Sequence, residues 1–417
     1  MKTKISFMLL ASVLTTGSFI FSSCNNDGAE VPEIATEPEV VNPIQQLSNV
    51  SAQLDQELSA ISFDEVEPLT RALNEGSNCD CGCDCCNGDD NNDGNECDHK
   101  KFTKILKELL NHMNADFSKT KPFLRTYAFE DVIKTLKLTW TAAGVNGYGR
   151  QDGKGYIKGI DALAFECNYT TDKGTYNVRV TKAVNGNVTD GVAKGITSRK
   201  LVIKKDGKDV LSIEVMNNVN EQKVLPFLPT QSIEHTGTIK VKGFIVTLGY
   251  NHKDAHTAIL SLTIQREGEI SPVAVMTSTV TDNLSLINMI KHDVNFASDY
   301  SVSIMNGAAE IKGEIKSLNA LIAQSVLLTA IYKVGASEEV CKEAAAKFNE
   351  NVKIGLLLTG NNIGEVTLMP VFQEELNKYS VAMFINSPLF GDEPVDVSSL
   401  LSNLGFSFED ILGMIKG

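Results

Sequence analysis

The sequence predicts an α+β protein in which a curved antiparallel sheet, of half-barrel kind, packs on helices behind an N-terminal amphipathic helical pair. Three observations carry that expectation. Residues through the middle of the chain alternate apolar and polar with period two, Asp-Gly and Asn-Gly pairs sit between such runs, and apolar stripes at three- and four-residue steps bracket them. Strands, then helices, then strands again is the order of an α+β domain. With 417 residues and 42% hydrophobic content the chain can bury one large or two medium cores.

In chain order, Ile44, Leu47, Ser51, Leu54, Leu58 and Ile61 fall on one seam of a helix starting near Pro43. A second stripe, Phe102, Ile105, Leu106, Leu109, Leu110 and Met113, follows a cysteine-rich insert at 78–98. The two helices should pair or cover the body. The helical region spans 43–122, and the β-rich body 123–417.

Within the body, Tyr176, Val178 and Val180 alternate with Thr175, Asn177 and Arg179, and Leu211, Ile213 and Val215 with Ser212 and Glu214, as in a sheet wet on one face. Asp206-Gly207 and Asn306-Gly307 suit two-residue hairpins, whose positive φ these residues tolerate. Ile239 and Val241 change phase against Phe244, Val246 and Leu248, which predicts a bulge at Gly243 that bends one long strand. Leu260, Leu262 and Ile264 would return beside it. Phe244, Val246, Leu248 and Leu262 are thus the candidate lining of a pocket for an apolar ligand.

The most apolar helical stretch is Leu318 to Val334. Asn319, Gln324, Ser325, Thr329 and Tyr332 interrupt it, so a helix packed inside a curved sheet is expected rather than a membrane span. Gly335 stops it, and Ser337 starts a helix with Cys341, Ala345 and Phe348 on one face. Val366 with Leu368, and Tyr379 to Ile385, resume the strands, before short helices around Leu400 and Ile411.

The first residues give an address. Lys2 and Lys4 precede an apolar core, Ile5 to Leu14, too short to span a bilayer, and Phe21-Ser22-Ser23-Cys24 closes it. This layout resembles a bacterial lipoprotein signal, with Phe21 where Leu is more usual. The resemblance implies a signal peptide at 1–23, cleavage before Cys24, and palmitate-type acyl chains on Cys24 holding the protein to the membrane. The acidic, proline-containing stretch 24–42 reads as a tether. Its start, Asn25-Asn26-Asp27-Gly28-Ala29-Glu30, looks like tethers that in some Gram-negative groups accompany export, so the expected location is the cell envelope, the outer membrane and its surface-exposed side preferred.

Formal charge is −14, and loss of Lys2 and Lys4 makes it −14 − 2 = −16. Such a surface argues against nucleic acid and against electrostatic binding to anionic lipid.

Cys79, Cys81, Cys83, Cys85, Cys86 and Cys97 crowd the insert. Repeated C-x-C converges thiolates, as for Zn or Cu(I), and resembles metallothionein tracts over this stretch only. Three disulfides in an exported loop come ahead of metal, and a merely solvated low-complexity insert is the third reading. Asp89, Asn91, Asp93 and Gly94 stand at positions one, three, five and six of an EF-hand-type calcium loop, but Lys100 replaces its bidentate Glu, which leaves a weak calcium site. Cys167 and Cys341 fall in phase with apolar neighbours and read as inert core thiols.

His252 and His256 flank a turn rather than share a helix face, and the glycine-rich loop with Tyr148, Arg150 and Tyr156 lacks the G-x-G-x-x-G spacing. No G-x-S-x-G or H-E-x-x-H is present. Three functions fit. A non-catalytic binding protein, resembling half-barrel lipoproteins in architecture and taking an apolar ligand, comes first. A metal-handling or adhesive surface module using the insert comes second, and a hydrolase with an unrecognised carboxylate pair third.

Overall fold

A computed structural model describes residues 42–76, 98–116, 159–220 and 232–401, apart from 186–187, 190–191, 194, 253–255, 284–287, 289–290, 292, 388, 390–392 and 399–400. The signal peptide, the tether from Cys24 to Val41, the insert with Cys79 to Cys97 and its calcium-type loop, the glycine-rich loop and the helix expected around Ile411 lie outside the described residues.

Among the described residues the strands make one large open antiparallel sheet of 14 strands with a few helices. Its members are β1 (Gly159–Thr171), β2 (Gly174–Asn185), β5 (Gly195–Lys205), β6 (Lys208–Asn220), β7 (Ser232–Val241), β8 (Phe244–His252), β9 (Thr257–Arg266), β10 (Pro272–Asp282), β11 (Phe296–Ile304), β12 (Ala309–Ile315), β13 (Val352–Leu358), β14 (Asn361–Gln373), β15 (Lys378–Asn386) and β16 (Val395–Asp396), paired in that order. A small ribbon, β3 (Val188–Thr189) with β4 (Val192–Ala193), stands apart. The helices are α1 (Pro43–Ser59), α2 (Glu67–Asn74), α3 (Asp98–Asp116), α4 (Leu318–Val334) and α5 (Glu338–Asn351). The chain divides into two compact units, one holding 55–273 and 280–294, the other the segment before 55 with 274–279 and 295–417.

In the unit holding β1 to β9, alternation puts Tyr169, Tyr176, Val178, Ile203, Ile213, Ile239, Val246 and Ile264 on one buried face. Register aligns them: Val178 faces Ile203, Ile213 faces Ile239, and Ile239 faces Val246. The end of α1, the connection 60–66, α2 and α3 supply the opposing apolar layer through Leu58, Ile61, Phe63, Leu69, Leu106 and Leu110. Polar ties hold the layers together at their margins. Tyr176 Oη donates to the Glu65 carbonyl at 2.8 Å, Tyr169 Oη lies 3.0 Å from Thr103 Oγ1, and the Arg266 guanidinium reaches Glu57 at 2.7 Å. Asn74 and Asn111 exchange side-chain amide hydrogen bonds at 3.0 Å, which locks α2 to α3.

Two expectations change here. The phase slip at Gly243 is not a bulge: Lys242 (φ 46°) and Gly243 (φ 73°) form a two-residue turn between β7 and β8, and Val241 pairs directly with Phe244. Both devices return the five apolar residues to one face, so parity alone does not separate them. Asp206-Gly207 turns the chain as expected, whereas Asn306-Gly307 sits in a four-residue loop, 305–308.

Cys167 is also corrected. It is buried on β1 but disulfide-bonded rather than a thiol, and its partner lies outside the described residues.

In the other unit, α4 and α5 connect β12 to β13 and pack on β14 and β15. Ser317 caps α4 by accepting from Ala320 N, and Gly335 ends it at φ 68°, close against Lys378 and Tyr379. The α4 helix does not lie inside the sheet. Leu318, Leu321, Ser325, Leu328 and Ile331 are buried, but Val326 is 70% and Val334 59% exposed. Cys341, Ala345 and Phe348 share the buried face of α5 as expected, and burial pushes the Cys341 thiol up. Among the described residues no helix is long and apolar enough to cross a membrane.

Candidate functional site

The polar side chains that alternate with the buried ones on β2, β5, β6 and β7 form a single face. Register places Arg179 beside Val202, Val202 beside Ser212, and Ser212 beside Lys240, one row across four strands. At a strand spacing near 4.8 Å this row separates Arg179 from Lys240 by about 14 Å. Along β5, Lys200 and Lys204 flank Val202 on the same face, about 13 Å apart at ~3.3 Å per residue.

One strand departs from regularity here. Ile203 pairs with Leu211 but Lys204 with Asp209, so Val210 is an extra residue in β6. Such a bulge bends its strand and increases local twist. Beside it lies a concavity of about 370 Å³, floored by Val202, Thr181 and Ser212 and bordered by Arg179, Lys200, Lys204, Lys240 and Lys242.

The cations are only loosely committed. Lys200 lies 3.7 Å from Glu214, Lys204 3.3 Å from Asp209, and Lys240 3.5 Å from Glu267, all in solvent-accessible pairs. Pairs of this kind contribute about 0–1 kcal/mol each, so an incoming anion displaces them at little cost. Lys242 is held more closely, donating to Asp64 and to Ser62 at 3.0 Å. The Ser62 hydroxyl and the Lys242 ammonium keep the Asp64 carboxyl below its usual range. Arg179 has no carboxylate within ion-pair distance among the described residues.

The residues singled out from sequence fall elsewhere. Phe244, Val246, Leu248 and Leu262 lie on the opposite, inner face, all buried, with the Arg266 guanidinium 4.9 Å above the Phe244 ring. His256 Nδ1 lies 2.8 Å from Asp282 Oδ1, immediately before β9. Cys24, Cys79, Cys81, Cys83, Cys85, Cys86, Cys97, Asp89, Asn91 and Asp93 are outside the described residues. Among the described residues no group of three His, Cys, Asp or Glu is placed to hold a metal ion.

Sequence reasoning did not find the cationic face because its members are spread from 179 to 242 and meet only through register. One signal was present: Arg199, Lys200, Lys204, Lys205 and Lys208 crowd ten residues of an otherwise acidic chain. No protein-family model matches the chain, and no curated protein or solved structure shows significant similarity to it.

Proposed function

We propose that this protein is a lipid-anchored, non-catalytic binding protein of the cell envelope, attached through acyl chains on Cys24 and binding its ligand on the polar face of β2 to β7. The half-barrel curvature expected of the sheet belongs to the same reading. The observation that supports it is the concavity beside the Val210 bulge, where five cations border a small apolar and hydroxyl floor on a chain of formal charge −14. Cations gathered against the net charge of a protein focus an attractive field on one place. With three of them held only by weak exposed pairs, they provide recognition rather than bond-making chemistry.

The test has two arms. Cys24→Ala should leave an uncleaved or mislocalised precursor that no longer partitions into detergent, and native-like partitioning of that variant overturns the anchor. For binding, the chain lacking residues 1–24 is dialysed against a panel of glycans, peptides and lipids, with and without Lys200→Glu/Lys240→Glu. Recovery of an unaltered ligand whose capture falls in the double variant is expected. Conversion of the ligand, or capture indifferent to the substitutions, overturns the reading.

A further inference from the structure

We infer that the ligand of this face is an acidic polysaccharide, a proposal that rests on the binding reading above and names its ligand class. Three features of the lining select it. The cations stand at both ends of a row about 14 Å long, from spacing three strands apart, so an extended polyanion engages Arg179 and Lys240 together while a compact anion cannot span them.

Secondly, Asp209 and Glu267 lie in the same lining. Carboxylates repel a bare polyphosphate, but they accept hydrogen bonds from a polyol, and the hydroxyls of Thr181 and Ser212 between the cations both donate and accept. A ligand that carries acid groups and hydroxyls in alternation meets each of these groups with its complement.

Thirdly, among the described residues the lining contains no aromatic ring. Single-stranded nucleic acids are held by stacking of bases on aromatic side chains along a basic groove, and this face offers the charge without the platform. An acidic peptide would supply the charge but not the row of hydroxyls.

The experiment uses the chain lacking residues 1–24, titrated at several salt concentrations with oligogalacturonate, a heparin-derived oligosaccharide, neutral dextran, polyphosphate, an oligothymidylate and poly-Glu. At least one of the two acidic oligosaccharides should bind with an affinity that falls as salt rises, and dextran should not bind. Arg179→Ala/Lys240→Ala should weaken that binding at least tenfold. Lys342→Ala, on α5 and not among the lining residues, should leave it unchanged, with thermal melts verifying that both variants fold.

If neither acidic oligosaccharide binds, or the double variant binds them as tightly as the native chain, the inference is overturned. If another probe binds instead and is lost in the double variant, the polysaccharide is wrong and the binding face stands. If no probe responds to these substitutions, both are wrong.

Discussion

Tyr176 shows how a single hydroxyl fastens a layer. Its ring is buried among the sheet's inner residues while its oxygen reaches the Glu65 carbonyl at 2.8 Å. Burial, with the carboxylates of Asp206 and Glu65 adding to it, pushes its pKa up from 10.0 to about 12. Because the folded value lies above the unfolded one, the neutral phenol's contribution is complete below pH 10 and is lost as pH rises toward 12. At 1.36 kcal/mol per unit the ceiling on the loss across that window is about 3 kcal/mol, and solvent screening at the hydroxyl brings it below that. Denaturant titrations of the native chain from pH 9 to 12 should show this decline, and Tyr176→Phe should flatten part of it while costing about 1 kcal/mol at neutral pH. A decline of equal depth in the variant sinks the assignment. Tyr300 repeats the arrangement in the other unit: its hydroxyl donates to the Lys353 carbonyl at 2.9 Å, burial raises its pKa, and Gly313 faces it because a methyl there would overlap both groups.

Elements were legible wherever one face is apolar and turns follow common chemistry. The strands around Tyr176, Leu211 and Leu262, the helix seam from Leu47 to Leu58, and the Gly335–Ser337 break all appear where period and capping place them. Lys242-Gly243 was misread because Lys is an uncommon residue at the positive φ of a two-residue turn, and the parity change it produces resembles a bulge. The α4 helix was misplaced because its apolar residues are spread round it with no single stripe, so sequence cannot say which side is covered; Ser325 is buried while Val326 is exposed. What fixes its start is polar. Asn351 of α5 donates to the Ser317 carbonyl at 2.8 Å and accepts from the Ser317 N–H at 2.9 Å, while the Asn351 carbonyl accepts from Lys316 N. Asn351→Ala strips both side-chain bonds from a largely buried backbone and should cost about 2–4 kcal/mol by chemical denaturation. Ser317→Ala, which removes chiefly the cap, should cost about 1 kcal/mol. Equal costs would mean that the cap, not the Asn351 bridge, holds the helix.

At the scale of the whole molecule, nearly every described strand pairs with its neighbour in sequence, so the architecture follows from consecutive strands added one at a time. That regularity made the sheet readable and hid the site: a meander sets residues 60 positions apart in one row, and no local pattern announces it. Among the described strands β1 stands at one end of the sheet order, and it carries register shifts against β2 at Gly159/Ala162 and Leu163/Phe165, irregularities of the kind that discourage another chain from pairing at an edge. β1 also bears the bonded Cys167. Under denaturing conditions without reductant, iodoacetamide should modify Cys341 and spare Cys167, which should react only after reduction, as read by peptide mass mapping. Modification of Cys167 before reduction would contradict the bond.

That bond changes the arithmetic of the sulfurs. Nine cysteines less the free Cys341 and the Cys24 proposed to carry lipid leave 9 − 2 = 7, an odd number. A disulfide consumes sulfurs in twos, so no set of bridges within one chain can use all seven. With Cys167 drawing its partner from Cys79, Cys81, Cys83, Cys85, Cys86 and Cys97, these six cannot form three bridges among themselves. At least one sulfur besides Cys341 then stays outside every internal bridge, left over as a thiol, a ligand for a soft metal, or a link to a second molecule.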